Sequence, residues 1–197
     1  PVDHELSNQV LIYTICCSIC DYYKSKGISS TLVSGYSMGI YSAFYAAEAY
    51  TFETGLSILK KAFHLTKDLY ISKRKQRFEM GVIIGLSEND IHCVFKKVGG
   101  TMDIASFNGA HSFLIVGEQE KVKVCLKKAE VMGAFKAECI GGGGLGYHTP
   151  VLREIADEFY EFLSHCDIYN PRYAFLSPIT IDRVTDQSAI VDEIIKN

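Results

Sequence analysis

Val33-Ser34-Gly35-Tyr36-Ser37-Met38-Gly39 stands between an apolar run, Thr31-Leu32-Val33, and a stretch of small and aromatic residues, Tyr41-Ser42-Ala43-Phe44-Tyr45-Ala46-Ala47. Gly-x-Ser-x-Gly at a strand-to-helix junction is the pattern of a nucleophile elbow. Its glycines give the backbone room for a sharp corner, its serine is lifted onto that corner, and the following helix aims its first N–H groups at the hydroxyl. The pentapeptide alone is a weak signal, because Gly and Ser are common in loops. Its place between a strand and a helix is what the mechanism requires, and Ser37 is therefore the candidate covalent nucleophile, against the plainer reading of an inert serine in a turn.

Outward from this stretch the chain alternates elements. Residues 5–25 carry apolar positions at Val10, Ile12, Tyr13, Cys16, Cys17, Ile19 and Cys20, close to helical spacing, and Gly27 ends that helix before a short buried strand over residues 28–34. After the elbow helix, Thr51 caps a long helix whose apolar side is Leu56, Leu59, Phe63, Leu65 and Leu69, and which runs into Lys73-Arg74-Lys75-Gln76-Arg77. The pattern then changes: strand 80–85, helix 88–98, strands 102–107 and 112–116, helix 118–132, strand 135–140. This βαββαβ order predicts a ferredoxin-like unit with Asn108-Gly109-Ala110 as its central hairpin turn. It reads as a subdomain, residues 78–140, inserted into a core of residues 1–77 and 141–197. The glycines at 141–144 lack the Lys-Ser/Thr of a phosphate loop and predict a crossover where a ligand approaches the backbone. Pro150 opens a helix to about Cys166 with Leu152, Ile155, Phe159 and Phe162 buried; a strand over 172–176, a Ser177-Pro178 turn and a helix from Gln187 follow. The predicted fold class is α/β, a hydrolase-like parallel-sheet core with the elbow and a ferredoxin-like insertion.

Composition narrows the function classes. With 197 residues the chain can form one large domain, or a main domain with an insert. A formal charge of −3 with interspersed Lys and Glu gives no electrostatic case for nucleic acid or an anionic membrane as partner. The basic cluster at 73–77 reads as a solvated helix end, with an acidic partner or a phosphate-bearing substrate as the alternative. Seven cysteines, an odd number, and no signal-peptide pattern predict reduced thiols in a cytoplasmic protein. Cys17-x-x-Cys20 lies in an apolar helical run without a second ligand pair, which predicts core filling and no metal site. No apolar run reaches the ~18 residues of a membrane-spanning helix, so a soluble chain is expected.

A serine hydroxyl is a poor nucleophile until a base takes its proton. Among six histidines, His4, His64, His92 and His165 fall in helices or near the terminus, where surface or packing roles are expected. His111 follows a hairpin and could line a cleft. His148 ends the glycine-rich crossover between insert and core, the kind of place where clefts form, and is the candidate base.

On these residues the chain resembles the malonyl-CoA:acyl carrier protein transacylases and the acyltransferase domains of polyketide and fatty-acid synthases, over almost its whole length. Gly35-Tyr36-Ser37-Met38-Gly39-Ile40-Tyr41-Ser42-Ala43 is similar to the family's GHSLGEYSA, and residues 47–53 to its AGALSFED. Residues 80–85 resemble the start of its ferredoxin-like subdomain, and Asn108-Gly109-Ala110-His111-Ser112 with Ile115-Val116-Gly117 its NSPGQ…IAG hairpin. Tyr147-His148-Thr149-Pro150 resembles FHSP, which carries the catalytic histidine, and residues 182–186 the turn before the closing helix. The resemblance implies ping-pong transfer: Ser37, activated by His148, takes an acyl group from acyl-CoA and passes it to the phosphopantetheine thiol of an acyl carrier protein. It also implies an oxyanion-hole donor at the Met38 N–H, substrate contacts from Tyr36, Ile40, Ala62, Asn108 and His111, no triad carboxylate, and no permanently bound cofactor.

Three departures qualify what is carried over. The family's Gly-Gln-Gly strand, with the second oxyanion donor, and the residue that orients its histidine have no counterpart within residues 1–197, as expected of a fragment or of a chain without them. Ala62 stands where malonyl-selective members place an arginine to pair with the free carboxylate; without it a buried malonyl carboxylate is unpaired, which predicts a neutral acyl group. Tyr36 and Ile40 replace a histidine or glutamine and an acidic residue, which predicts a larger, more apolar pocket wall. Hydrolysis of carrier-bound acyl thioesters and a non-catalytic carrier-binding role are the alternatives at this point.

Overall fold

The computed structural model describes residues 2–140 and 144–197; the part of the expected crossover at residues 141–143 lies outside them. The elements run α1 (Val2–Ser25), β1 (Leu32–Val33), α2 (Gly39–Ala46), α3 (Phe52–Lys67), β2 (Phe78–Ile84), α4 (Glu88–Val98), β3 (Met102–Gly109), β4 (Ser112–Glu118), α5 (Gln119–Val131), β5 (Lys136–Cys139), α6 (Ala156–Ser164), β6 (Ala174–Leu176), β7 (Arg183–Val184) and α7 (Gln187–Lys196). A π-helical segment, Asp68–Lys73, extends α3, and a 3-10 segment, Pro150–Ile155, precedes α6. The chain is α/β, and it divides into two compact units: Thr66–Glu154, and Asp3–Leu65 with Ile155–Asn197.

The Thr66–Glu154 unit is built on an antiparallel sheet of order β3-β4-β2-β5. Ile83 of β2 and Phe113 and Ile115 of β4 meet Ile91 and Val94 of α4 in one buried cluster. Helix α5 adds Val122, Cys125, Leu126 and Ala129, an i, i+3, i+4, i+7 stripe. Ser87 and Asp90 start α4 with a capping box, each side chain accepting the other's backbone N–H. The hairpin turn differs by one residue from the sequence pattern. Gly109 pairs with Ser112, so the turn residues are Ala110 and His111; bulges between Ile104 and Ser106 and between Phe107 and Gly109 shift the register. This unit is also wider than residues 78–140, because the Phe78 N–H donates to the Gly144 carbonyl (3.0 Å) and the Tyr70 hydroxyl to that of Gly146 (3.0 Å).

The second unit holds a mixed sheet of order β1-β6-β7. Leu32 and Val33 pair in parallel with Ala174 and Phe175, while β7, too short to be legible as a strand, runs antiparallel to β6. The strand expected over 28–34 shrinks to two residues. Gly27 takes φ +75° and the Ile28 N–H still caps α1 by donating to the Tyr23 carbonyl (3.0 Å), so the chain is not extended there. Phe44 packs on Phe175 with ring centroids 4.3 Å apart, and Tyr13 stacks on Phe52 at 5.2 Å. Helix α1 buries Tyr13 and Cys17 only in part as the spacing suggested: Ile12 and Ile19, expected inside, are 48% and 50% exposed. Burial pushes the Cys17 thiol up to about 12, which leaves it unreactive. In α6 Leu163 takes the inward place expected of Phe162, which is half-buried with Lys61 over its ring. No helix among the described residues is long and apolar enough to cross a membrane.

Candidate active site

The elbow is held at both ends. Before it, the Ser34 hydroxyl donates to the Leu176 carbonyl of β6 (2.9 Å). Within it, the Gly39 N–H donates to the Tyr36 carbonyl (2.9 Å) and the Ile40 N–H to that of Ser37 (3.0 Å). Ser37 has φ +51°, a left-handed conformation that costs a side-chain-bearing residue on the order of 1 kcal/mol. Gly35 permits it by close approach: a Cβ there would lie 2.3 Å from the Gly39 carbonyl oxygen and 2.7 Å from the Ile40 nitrogen. At Gly39 a Cβ would meet nothing within 4 Å. The two glycines of the pattern are therefore not equivalent. Helix α2 has no acidic residue in its first turn, so nothing there offsets its N-terminal partial positive charge.

The remaining candidates of this unit separate by burial. Tyr36 is 54% exposed beside the nucleophile. Ile40, expected in the pocket wall, is instead 0% exposed, on the same helical face as the buried Phe44. Its apolar character belongs to the core, and the wall reading is corrected for it. Ala62 is half-buried on α3, and its neighbour Lys61 is engaged by Glu158 at 2.7 Å.

In the Thr66–Glu154 unit, Asn108 Oδ1 accepts from the Ser106 hydroxyl (3.0 Å), and His111 Nδ1 lies 3.2 Å from the Leu86 carbonyl at the end of the hairpin. His148 also has a left-handed backbone, φ +58°. Beside it is a knot that the sequence reading missed. The buried Tyr70 and Thr149 hydroxyls lie 2.5 Å apart, and each is 3.0 Å from the Gly146 carbonyl oxygen. Burial pushes the Tyr70 phenol up, so it stays protonated as a donor. Gly146 is required by contact, since a Cβ would sit 2.5 Å from the Tyr70 hydroxyl. Thr149 stands next to His148 in the sequence, but nothing in the sequence flags Tyr70, 79 residues before Thr149.

Other histidines are occupied at the surface, His92 3.5 Å from Glu88 and His165 Nδ1 2.8 Å from the Glu161 carbonyl. No group of three or more His, Cys, Asp or Glu that could hold a metal occurs among the described residues.

This α/β fold is that of solved malonyl-CoA–acyl carrier protein transacylases. The Coxiella burnetii enzyme superposes with a TM-score of 0.86 at 23% identity, covering 97% of this chain and 60% of that one. A malonyl transacylase solved in complex with its type II polyketide-synthase acyl carrier protein gives the same TM-score at 21% identity, over 97% of this chain and 62% of that one. In sequence, the chain is similar to the malonyl-CoA–acyl carrier protein transacylase of Bacillus subtilis (strain 168), 24% identical over 191 residues, which is 95% of this chain and 59% of that protein. It is also similar to the polyketide-biosynthesis transacylase PksC of the same organism, 26% identical over 149 residues, 75% of this chain and 49% of that protein. The chain thus spans about half to three fifths of the length of the curated relatives it matches. No protein-family model matches it.

Proposed function

We propose that this chain carries the acyl-transfer machinery of a malonyl-CoA:acyl carrier protein transacylase. The observation that carries the reading is Ser37, held at φ +51° on a strand-to-helix turn that only a glycine at position 35 allows. Backbone strain of this kind persists where a function uses it. The likeness to transacylases over 95% of the chain supports the same reading.

In the proposed reaction, the Ser37 hydroxyl attacks the thioester carbonyl of malonyl-CoA while His148 takes its proton. The tetrahedral oxyanion is met by the Met38 N–H, a donor of a kind worth ~3 kcal/mol of transition-state stabilisation. Collapse breaks the carbon–sulfur bond, His148 returns the proton to the CoA thiolate, and malonyl-Ser37 remains. The phosphopantetheine thiol of the carrier then attacks this ester, its proton passing through His148 back to Ser37. Tyr36, Ala62, Asn108 and His111 are the proposed substrate contacts. The Thr66–Glu154 unit, with residues 78–140 at its centre, is taken as the ferredoxin-like subdomain, a reading to which the strand order β3-β4-β2-β5 lends support, and the other unit as the hydrolase-like core. The seven free cysteines fit a reducing, cytoplasmic setting.

The neutral acyl group suggested by Ala62 has no support among the relatives, whose transacylases are named for malonyl transfer. Malonyl is therefore the proposed substrate. The test is intact-protein mass spectrometry after brief exposure to malonyl-CoA or acetyl-CoA, with and without carrier protein. A malonyl adduct that is absent in Ser37→Ala and discharged onto the carrier is the expected result. Preferential acetyl loading would restore the Ala62 argument, loss of the adduct to free malonate without carrier would indicate hydrolysis, and no adduct from either donor would overturn acyl transfer.

A further inference from the structure

On the side of α4 and α5 away from their sheet lies a groove of about 460 Å³ within the Thr66–Glu154 unit. Its floor is the buried Val94, and its exposed apolar lining is Val124, Val131 and Met132, with Val131 90% exposed. Water-facing apolar side chains gathered in one concavity mark an interaction site rather than ordinary surface. Its polar rim has one sign: Lys97 from α4 and Lys127 and Lys128 from α5. None of these lysines forms an ion pair with a carboxylate among the described residues.

Two nearby carboxylates are already committed, while a third, the exposed Glu130 of α5, stands beside Val131. Asp90, one turn before Val94, is bonded to the Ser87 hydroxyl and N–H, and Glu120, one turn before Val124, pairs with Lys123 at 2.7 Å. What remains along the groove is an apolar floor rimmed by three lysines that form no ion pair among the described residues, with Glu130 as the one carboxylate beside them. Val124 and Val131 are two helical turns apart, ~10 Å along α5, with Lys127 and Lys128 between them. That spacing fits the apolar i, i+3 or i+4, i+7 stripe of a third helix, whose flanking residues would face the lysines.

We propose that this groove docks an acidic amphipathic helix of a protein partner. The apolar stripe of that helix covers Val124, Val131 and Met132, and its Asp or Glu flanks neutralise Lys97, Lys127 and Lys128. This surface is separate from the residues proposed for acyl transfer, so the two readings stand or fall independently.

The test uses the full chain and a fluorescein-labelled synthetic helical peptide with a Leu stripe flanked by Glu, beside a control in which Lys replaces each Glu. Fluorescence anisotropy is expected to show binding of the Glu peptide only, weakening with added salt. Binding should fall roughly tenfold or more in Lys127→Glu/Lys128→Glu and in Val131→Glu, each checked for unchanged thermal unfolding and unchanged malonyl loading. Equal binding of both peptides, no binding of either, or binding indifferent to the groove variants overturns the proposal. Adsorption to phosphatidylglycerol vesicles that Lys127→Glu/Lys128→Glu removes, without peptide binding, overturns it in favour of a lipid surface. Concentration-dependent dimerisation in light scattering that Val131→Glu abolishes, again without peptide binding, does so in favour of a second copy.

Discussion

Replacing Gly35 by alanine tests the elbow most directly. The added methyl would lie 2.3 Å from the Gly39 carbonyl oxygen, 2.5 Å from its carbon and 2.7 Å from the Ile40 nitrogen. A carbon–oxygen contact relaxes at ~3.3 Å or more, so the first turn of α2 must withdraw by about 1 Å. Those atoms are backbone, and no side-chain rotation can make the room. Overpacking of this kind costs about 1–3 kcal/mol, which in a chain of this size lowers Tm by about 2–12 °C. Ser37 sits inside the displaced segment, and a misplacement of ~1 Å at a reacting group can cost about a hundredfold in rate. Malonyl loading measured by intact-protein mass spectrometry should therefore fall by about two orders of magnitude, beyond any loss explained by unfolded protein. Gly39→Ala is the internal control: with open space at its Cβ, it should leave loading intact and Tm unchanged or slightly raised, through reduced unfolded-state entropy. Wild-type loading and Tm in Gly35→Ala would refute the argument, as would equal damage from both substitutions.

Three further outcomes follow from the packing. Tyr70→Phe removes one of two hydroxyls at the Gly146 carbonyl, should cost about 1 kcal/mol in urea unfolding, and should slow malonyl loading by loosening the loop of His148; loading at the wild-type rate would separate the knot from the proposed base. Burial alone would raise the Glu48 pKa, but its bonds to Lys24 and Arg172, both 3.2 Å, outweigh this and hold the carboxyl below its ordinary value. A depressed carboxyl contributes stability that is complete above the unfolded-state pKa and lost as pH falls through the folded one. Glu48→Gln should accordingly melt below wild type at pH 7, with the gap closing below about pH 4; a gap independent of pH would show the pairs to be energetically idle. Ser87→Ala should cost about 1 kcal/mol of stability through loss of the α4 cap, read from the urea midpoint at unchanged slope.

Legibility in the sequence followed the length of each element. The helix expected over 88–98 is α4, and the strands and helices around it fall within two or three residues of their predicted bounds. There the periodic stripes are long and turn residues are chemically distinct. Two-residue strands such as β7 offer no alternation to detect. Helix α1 misled for the opposite reason: apolar residues occupy both of its sides, so periodicity could not separate buried Tyr13 and Cys17 from exposed Ile12 and Ile19. For Ile40 the family comparison, in which it replaces an acidic residue, points to the pocket wall, whereas helical phase groups it with Phe44 in the core. The Tyr70 knot is a tertiary contact between distant residues, and a single sequence contains no local trace of it.

Backbone strain then adds what residue types could not. Among the described residues, five non-glycine residues have positive φ: Ser37, Glu48, Lys75, His148 and Ile181. Glu48 and Lys75 each follow the C-cap of a helical segment, Ala47 and Arg74, where a left-handed residue is the ordinary way to stop. Ile181 belongs to a turn closed by its own N–H on the Ser177 carbonyl (3.0 Å). Ser37 and His148 also lie in turns, that of Ser37 closed by the Gly39 N–H on the Tyr36 carbonyl (2.9 Å). Ser37 opens a helix rather than ending one, and His148 follows a buried loop pinned by Tyr70 and Thr149. A chain in which each local choice agrees with the fold is expected to break its own rules mainly where function demands it. Of the five, Ser37 and His148 are the two proposed as nucleophile and base of acyl transfer, so left-handed backbone falls on both proposed groups.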